Sequence, residues 1–452
     1  MRYCGPGYMI AVGYMDPGNW ATDLEAGSRY GYSLLFVVLL SNFMAMVLQH
    51  LCVRLGVVGR MDLAQASRHR MPKWANWPMY LIAEVAIISC DLAEVIGTAI
   101  ALKLLFGLDI LYGVLLTVCD VLLILAGLGG QSESRAYRML EVFVIVLMSI
   151  IGGCFMVELF IVKPDWGAVA YGFMPFSATK LMLDREALFS ALGIIGATVM
   201  PHNLYLHSSI VQHRLEETDH DGDNVTDMDV EEALKKGTTT MPTTSLSSII
   251  NYATADSTIA LFFAMFINAA ILVTAAAAFH ARGRHDVQHI EDASALMREW
   301  LGPASAILFG LALLAAGQSS TVTGTMAGQI VFEGHLRMQM KPWLRRLVTR
   351  VVAIVPALFI ILLAGRDSIN EMLIYSQVIL SFQLPFAIVP LIVFAFYPAP
   401  STVEADPHVA AFWAQRRKSR WETPLFVVSA IITITLVVLN VLFLVTTFTK
   451  VG

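Results

Sequence analysis

Tyr14-Met15-Asp16-Pro17-Gly18-Asn19 sets an acid, a proline, a glycine and an amide inside an otherwise apolar segment. A carboxylate in hydrocarbon is costly, so an acid at that depth is a functional candidate. Pro17 has no N–H to donate and crowds the preceding turn, and Gly18 adds backbone freedom, so the residues predict a helix break at 16–18. A break at membrane depth exposes carbonyls beside the carboxylate, and such backbone is tolerated only against protein or a wet cavity. The competing reading is a Pro-Gly turn outside the membrane, with Asp16 capping the helix that follows.

The composition favours the membrane. Of 452 residues, 57% are hydrophobic and only 14% charged, and apolar windows of about 20 residues recur along nearly the whole chain. The expected architecture is an all-α polytopic membrane protein forming one transmembrane domain, 1–452, with the lipid bilayer as its surroundings. The net charge of −5 and the lack of a basic face argue against a nucleic-acid partner. Cys4, Cys52, Cys90, Cys119 and Cys154 contain no C-x-x-C pair, which excludes a disulfide framework and a thiolate zinc site. Met1 to Gly7 run straight into the first apolar segment with no small-residue cleavage site, so no cleavable signal peptide is expected.

The hydrophobic pattern predicts α1 over about 5–28, α2 over about 32–55, α3 over about 76–106, α4 over about 110–128 and α5 over about 138–162. Next come α6 over about 187–213, α7 over about 254–280, α8 over about 303–331, α9 beginning after Trp343, α10 over about 369–397 and α11 over about 423–447. Arg54, Arg60, Arg68, Arg70 and Lys73 follow α2, and Arg416, Arg417, Lys418 and Arg420 precede α11. By the positive-inside rule both loops are cytosolic, so the N-terminus is cytosolic and an eleventh helix ends outside. On α3, Glu84, Asp91 and Glu94 fall at spacings that share one helix face, which suggests a polar pathway. α4 and α5, with Arg135 and Arg138 between them, are expected to be scaffold without a polar interior.

α6 contains Gly196-Ala197-Thr198-Val199-Met200-Pro201-His202-Asn203, where Pro201 disfavours helix at Met200. The two interruptions share the pattern Pro-x-Asn and open corresponding helices if the chain divides into five-helix halves, about 1–162 and 186–397. Matched broken segments are the sequence pointer to an inverted-repeat transporter with its site at the midplane. Ser319 to Gly328 on α8 is a small-residue string suited to close helix packing. Arg345, Arg346 and Arg350 open α9, where they can snorkel or pair with the acids of α3. Gln377, Gln383 and Pro385 lie in the apolar run of α10, and a buried amide there needs a partner or a ligand.

The stretch 214–248 is rich in Asp and Glu, then in Thr and Ser, and reads as a solvated cytosolic loop. Asp219-x-Asp221-Gly222 places its glycine too early for an EF-hand. Asn224-Val225-Thr226 has the form of a glycosylation sequon, unmodified if it faces the cytosol.

Asp16-Pro17-Gly18-Asn19 and Met200-Pro201-His202-Asn203 resemble the two signature motifs of the Nramp family of proton-coupled divalent metal transporters. The resemblance extends through Asp91-Leu92-Ala93-Glu94-Val95-Ile96-Gly97 and through Ser376 to Phe386, so it covers nearly the whole chain. It implies the leucine-transporter fold, with α1–α5 and α6–α10 as inverted repeats and α1 and α6 broken at mid-membrane. It also implies a metal held by Asp16, Asn19 and the Met200 sulfur, with backbone carbonyls of Gly13 and Ala197 and, in some states, Gln377. Thioether beside oxygen ligands biases such a site towards manganese, iron(II), cobalt and cadmium over calcium and magnesium.

For protons the resemblance points to Asp16 and Asp91, with Glu94, Arg345 and Arg346 in a salt-bridge path to the cytosol, and Glu84 joins the expected path by sharing their face of α3. His202 is a further proton acceptor by its type, and His207, Pro17, Gly18 and Pro201 are expected gate elements. The expectation is a monomeric secondary transporter that carries manganese or iron(II) with protons into the cytosol by alternating access. Its membrane would be a plasma or an endosomal or vacuolar one, and no prosthetic group is needed. The alternatives are a metal sensor of the same fold without turnover and an organic-solute symporter. An enzyme is disfavoured because no nucleophile–base pair or His-rich triad is visible. Two departures stand out: relatives carry a longer tail before α1, and the acidic insertion after α6 is unlike compact bacterial members.

Overall fold

A computed structural model describes residues 6–117, 133–178, 184–221, 246–285, 287, 289–338, 340–364, 368–397, 412–414 and 419–449. Every regular element among them is helical. α1 comes in two pieces, α1a Pro6–Gly13 and α1b Pro17–Tyr30, and so does α6, as α6a Arg185–Val199 and α6b Pro201–Asp221. The continuous helices are α2 Leu35–Gly59, α3 Lys73–Phe106, α5 Glu133–Val162, α7 Leu246–Ala278 and α8 Pro303–Leu336. α9 Pro342–Ala364, α10 Ser368–Phe396 and α11 Glu422–Thr449 are the remaining long helices, and a shorter one, Ile290–Leu301, lies between α7 and α8. α4 is described over 110–117, and the rest of its expected span lies outside the described residues.

Sequence and structure differ at several boundaries. α6b runs on through Asp221, so the first residues of the expected loop 214–248 are helical, while 222–245, with the sequon, lie outside the described residues. α7 begins at Leu246, eight residues before the apolar run predicts, because polar Ser247, Ser248 and Asn251 extend the helix beyond its hydrophobic stretch. A short helix, Leu63–Arg70, connects α2 to α3 with Asp62 and Gln65 in a reciprocal capping box.

The arrangement puts the broken helices at the centre. Between Arg185 and Gln212 α6 is almost wholly buried, whereas α11 is largely exposed and carries Phe448 and Ile434 outward, as a lipid-facing peripheral helix should. α11 is held by Asn440, which exchanges hydrogen bonds with Ser381 of α10, and by an ion pair from Glu422 to Arg54. Small residues let the central helices approach. A Cβ on Gly97 of α3 would overlap Pro17, and one on Gly27 of α1b would overlap the backbone of α7 at Leu272.

Glu158 revises the picture of α5 as scaffold without a polar interior. It is fully buried beside Ser305 of α8, a contact across helices that the apolar run of α5 could not disclose.

Candidate metal centre between two broken helices

The break in α1 lies at Tyr14 to Asp16, two residues earlier than the sequence predicts. Tyr14 and Met15 donate to the carbonyls of Ala11 and Val12, closing α1a with tight turns. Asp16 then adopts extended geometry and caps α1b, its Oδ1 accepting from the Asn19 backbone at 2.8 Å and from Asn19 Nδ2 at 2.7 Å. Pro17 is the first residue of α1b, where its missing N–H costs nothing. The two readings of this stretch therefore merge: Asp16 caps a helix, and it does so fully buried inside the protein. Its second oxygen, Oδ2, has no hydrogen-bond partner.

The break in α6 turns on Met200. Its φ of 34° and ψ of 109° place a non-glycine residue in a strained region, held by the closing hydrogen bond to the Gly196 carbonyl at 3.3 Å. The turn presents the thioether inward, where Asn203 Nδ2 reaches the sulfur at 3.7 Å. Asn203 also packs against Gly13.

The two breaks meet. Asn19 Nδ2 donates to the carbonyl of Ala197 at 3.0 Å. Asn268 of α7 donates to the Tyr14 carbonyl at 2.8 Å and to Asn19 Oδ1 at 3.2 Å. Gln377 of α10 closes another side, its amide against Gly18 and its backbone carbonyl against Gly196, and its Oε1 has no hydrogen-bond partner. Asp16, Asn19, Met200 and Gln377 are all buried. No group of three His, Cys, Asp or Glu side chains forms a metal cluster among the described residues. The donors gathered here are instead a carboxylate, amides, a main-chain carbonyl and a thioether, a mixture that suits a borderline dication.

A second polar chain leads away through α3. His202 is buried within electrostatic reach of Asp91. Glu94 accepts from Ser320 Oγ at 2.7 Å and Thr321 Oγ1 at 3.0 Å, and its Oε2 lies 3.4 Å from Arg350 Nη1. Arg350 also bonds the Asp91 carbonyl and Thr321. Arg345 pairs with Glu84 at 2.5 Å. The cation beside Glu94 is thus Arg350, not Arg345, because Arg350 lies five residues further along α9 and meets α3 nearer its middle. The side chain of Arg346 lies outside the described ones. The small-residue string of α8 also does more than pack, since Ser320 and Thr321 supply donors to Glu94.

His207 bonds Gln49 Oε1 at 2.7 Å, and Gln49 Nε2 donates to Tyr14 Oη at 2.6 Å. The expected gate element therefore joins α6b to the α1 break through α2. Sequence reasoning passed over Asn268, Gln49, Asp23 and Glu158. Each was visible as a polar residue in an apolar run, but its partner was not.

The model of the natural resistance-associated macrophage protein-like family matches residues 7–398. The chain is 50% identical over 395 residues to the divalent metal cation transporter MntH of Brucella suis biovar 1, covering 87% of this chain and 80% of that one. It is 51% identical over 397 residues to the transporter of the same name from Xanthomonas campestris pv. campestris, covering 87% and 82%. Among solved structures, the manganese transporter of Eremococcus coleocola superposes with a TM-score of 0.73 at 31% identity, over 98% of this chain and 94% of that one. A nucleobase-cation-symport-1 family transporter in a closed conformation shares the fold at a TM-score of 0.57 and 13% identity, over 97% and 92%. The fold is that of the leucine-transporter type, and the chain belongs to the Nramp family of integral membrane proteins.

Proposed function

We propose that this chain carries divalent transition-metal cations, manganese and iron(II) foremost, across the membrane together with protons. The observation that carries the reading is the junction of the two breaks, where the Asn19 side chain bridges Asp16 and the Ala197 carbonyl and Met200 is held in a strained turn nearby. Asp16 Oδ2, Asn19 Oδ1, the Met200 sulfur and the Ala197 carbonyl are the donors offered to the ion, with Gln377 Oε1 available from α10. The resemblance adds the Gly13 carbonyl to this set. One carboxylate leaves a dication with residual charge, which favours release as well as binding. The thioether favours manganese, iron(II), cobalt and cadmium over calcium and magnesium.

Burial on every side supports an occluded state of an alternating-access cycle. Opening towards the α6b end requires parting Tyr14, Gln49 and His207, since that hydrogen-bonded chain ties the α1 break to α6b. The proton route runs from Asp16 past His202 to Asp91, Glu94 and Arg350, then to Glu84 and Arg345. An ion bound at Asp16 displaces its proton electrostatically, which couples the two cargoes. The basic connection between α2 and α3 supports a cytosolic N-terminus, and with it import. The test is uptake of radiolabelled manganese by proteoliposomes under an imposed pH gradient, with competing metals. Accumulation driven by an inward proton gradient and competed by iron(II) and cadmium supports the reading, and accumulation indifferent to the gradient defeats the proton coupling.

A further inference from the structure

α1b carries a second buried acid that the pathway above does not use. Seven residues separate Asp16 from Asp23, which at 100° per residue brings Asp23 within about 20° of Asp16 around the helix and roughly 10 Å further along it. Asn19 lies on the same face between them, and α7 packs over this line, with Asn268 on Asn19 and Leu272 against Gly27. Asp23 is 1% exposed, and its Oδ2 has no hydrogen-bond partner. No ion pair among the described residues neutralises it. Glu25, two residues on, also has an oxygen without a hydrogen-bond partner but differs in facing a cation, since Arg29 lies 3.5 Å from it and 3.1 Å from Glu186. A buried carboxylate with an unsatisfied oxygen is costly, and packing alone would be served by a neutral residue.

We infer that Asp23 is a staging ligand, a carboxylate midway along α1b that receives the hydrated transition-metal dication from the Tyr30 side and passes it along one helix face to Asn19 and Asp16. The chemistry is that of a hard oxygen donor towards a cation that keeps most of its water, as magnesium-like and manganese-like ions do when a single carboxylate holds them. The inference rests on the transport reading above. With the N-terminus cytosolic, Asp23 lies on the external side of Asp16, so an imported ion meets it first.

The experiment measures manganese uptake by right-side-out and inverted membrane vesicles containing the full chain. Asp23→Asn keeps the shape of the side chain and removes the charge. It is expected to raise KM for external manganese roughly threefold to tenfold with kcat nearly kept, and to leave KM from the opposite face unchanged. Asp23→Glu, which keeps the charge, should restore most of the external affinity. An unchanged external KM in Asp23→Asn overturns the inference, as does an equal shift from both faces, which would mark a packing role. Should Asp23→Asn not reach the membrane, Asp23→Glu decides alone: near-normal external KM upholds staging, and a second failure to fold assigns Asp23 to packing. Absence of metal uptake by the unmodified chain would instead defeat the transport reading itself.

Discussion

The side-chain amide of Asn19 donates to the main-chain carbonyl of Ala197 at 3.0 Å, joining the two helix breaks through residues that are 178 apart in the chain. The same amide bonds Asp16 at 2.7 Å, so a ligand carboxylate, its helix cap and the second break form one unit. A dication entering this unit displaces no salt bridge, because no Lys or Arg pairs with Asp16 among the described residues.

Removing the carboxylate should therefore remove the cargo. Asp16→Ala is expected to abolish manganese uptake in proteoliposomes while the protein still purifies as a folded, monodisperse species. The lost cap costs about 1 kcal/mol, too little to unfold a helix bundle of this size. Uptake at the unmodified rate would exclude Asp16 from the site.

Met200 tests selectivity separately from turnover. Met200→Ala is expected to keep measurable manganese uptake while calcium and magnesium become effective competitors, since the soft donor that disfavours them is gone. If competition by calcium were the same in the variant, the thioether argument would fail.

Arg350 and Glu94 are both buried and 3.4 Å apart, so deleting Arg350 removes a cation that faces a buried carboxylate. Arg350→Ala should lower thermal stability by about 3–5 kcal/mol. Removing Glu94 as well, in Arg350→Ala/Glu94→Gln, should recover much of that loss without restoring manganese-dependent proton influx, and a double variant with normal proton influx would place the route elsewhere. Thermal unfolding in detergent and a pH-sensitive dye inside proteoliposomes provide the two readouts.

Gly196 sits where α6a touches the backbone of Gln377, and a Cβ there would overlap that carbonyl. Gly196→Ala is expected to push α10 from the breaks at a cost of about 1–3 kcal/mol and to depress uptake more than stability. Uptake within experimental error of the unmodified chain would mean that α10 need not close on α6a.

Much of this centre was legible in the residues. Pro17 and Pro201 announced two breaks, and acids or amides beside them in apolar runs announced function. The exact position of the α1 break was less so, because Pro17 can end one helix or begin the next, and only Asp16 capping α1b decides between these. Pairings across helices were hidden: the choice of Arg350 for Glu94 depends on how α9 crosses α3, and the placing of Asn268 depends on the depth of α7. Asp23 and Glu158 carried the same signal as Asp16, an acid in a buried helix, but lacked a neighbouring break to draw attention to them.

The central claim is that the breaks in α1 and α6 share one dication. Cadmium K-edge X-ray absorption on the purified chain tests it most directly. The account predicts a mixed shell of oxygen or nitrogen with one sulfur, the sulfur disappearing in Met200→Ala and the bound cadmium itself disappearing in Asp16→Ala. A sulfur signal that survives Met200→Ala, or cadmium retained in full by Asp16→Ala, would contradict it.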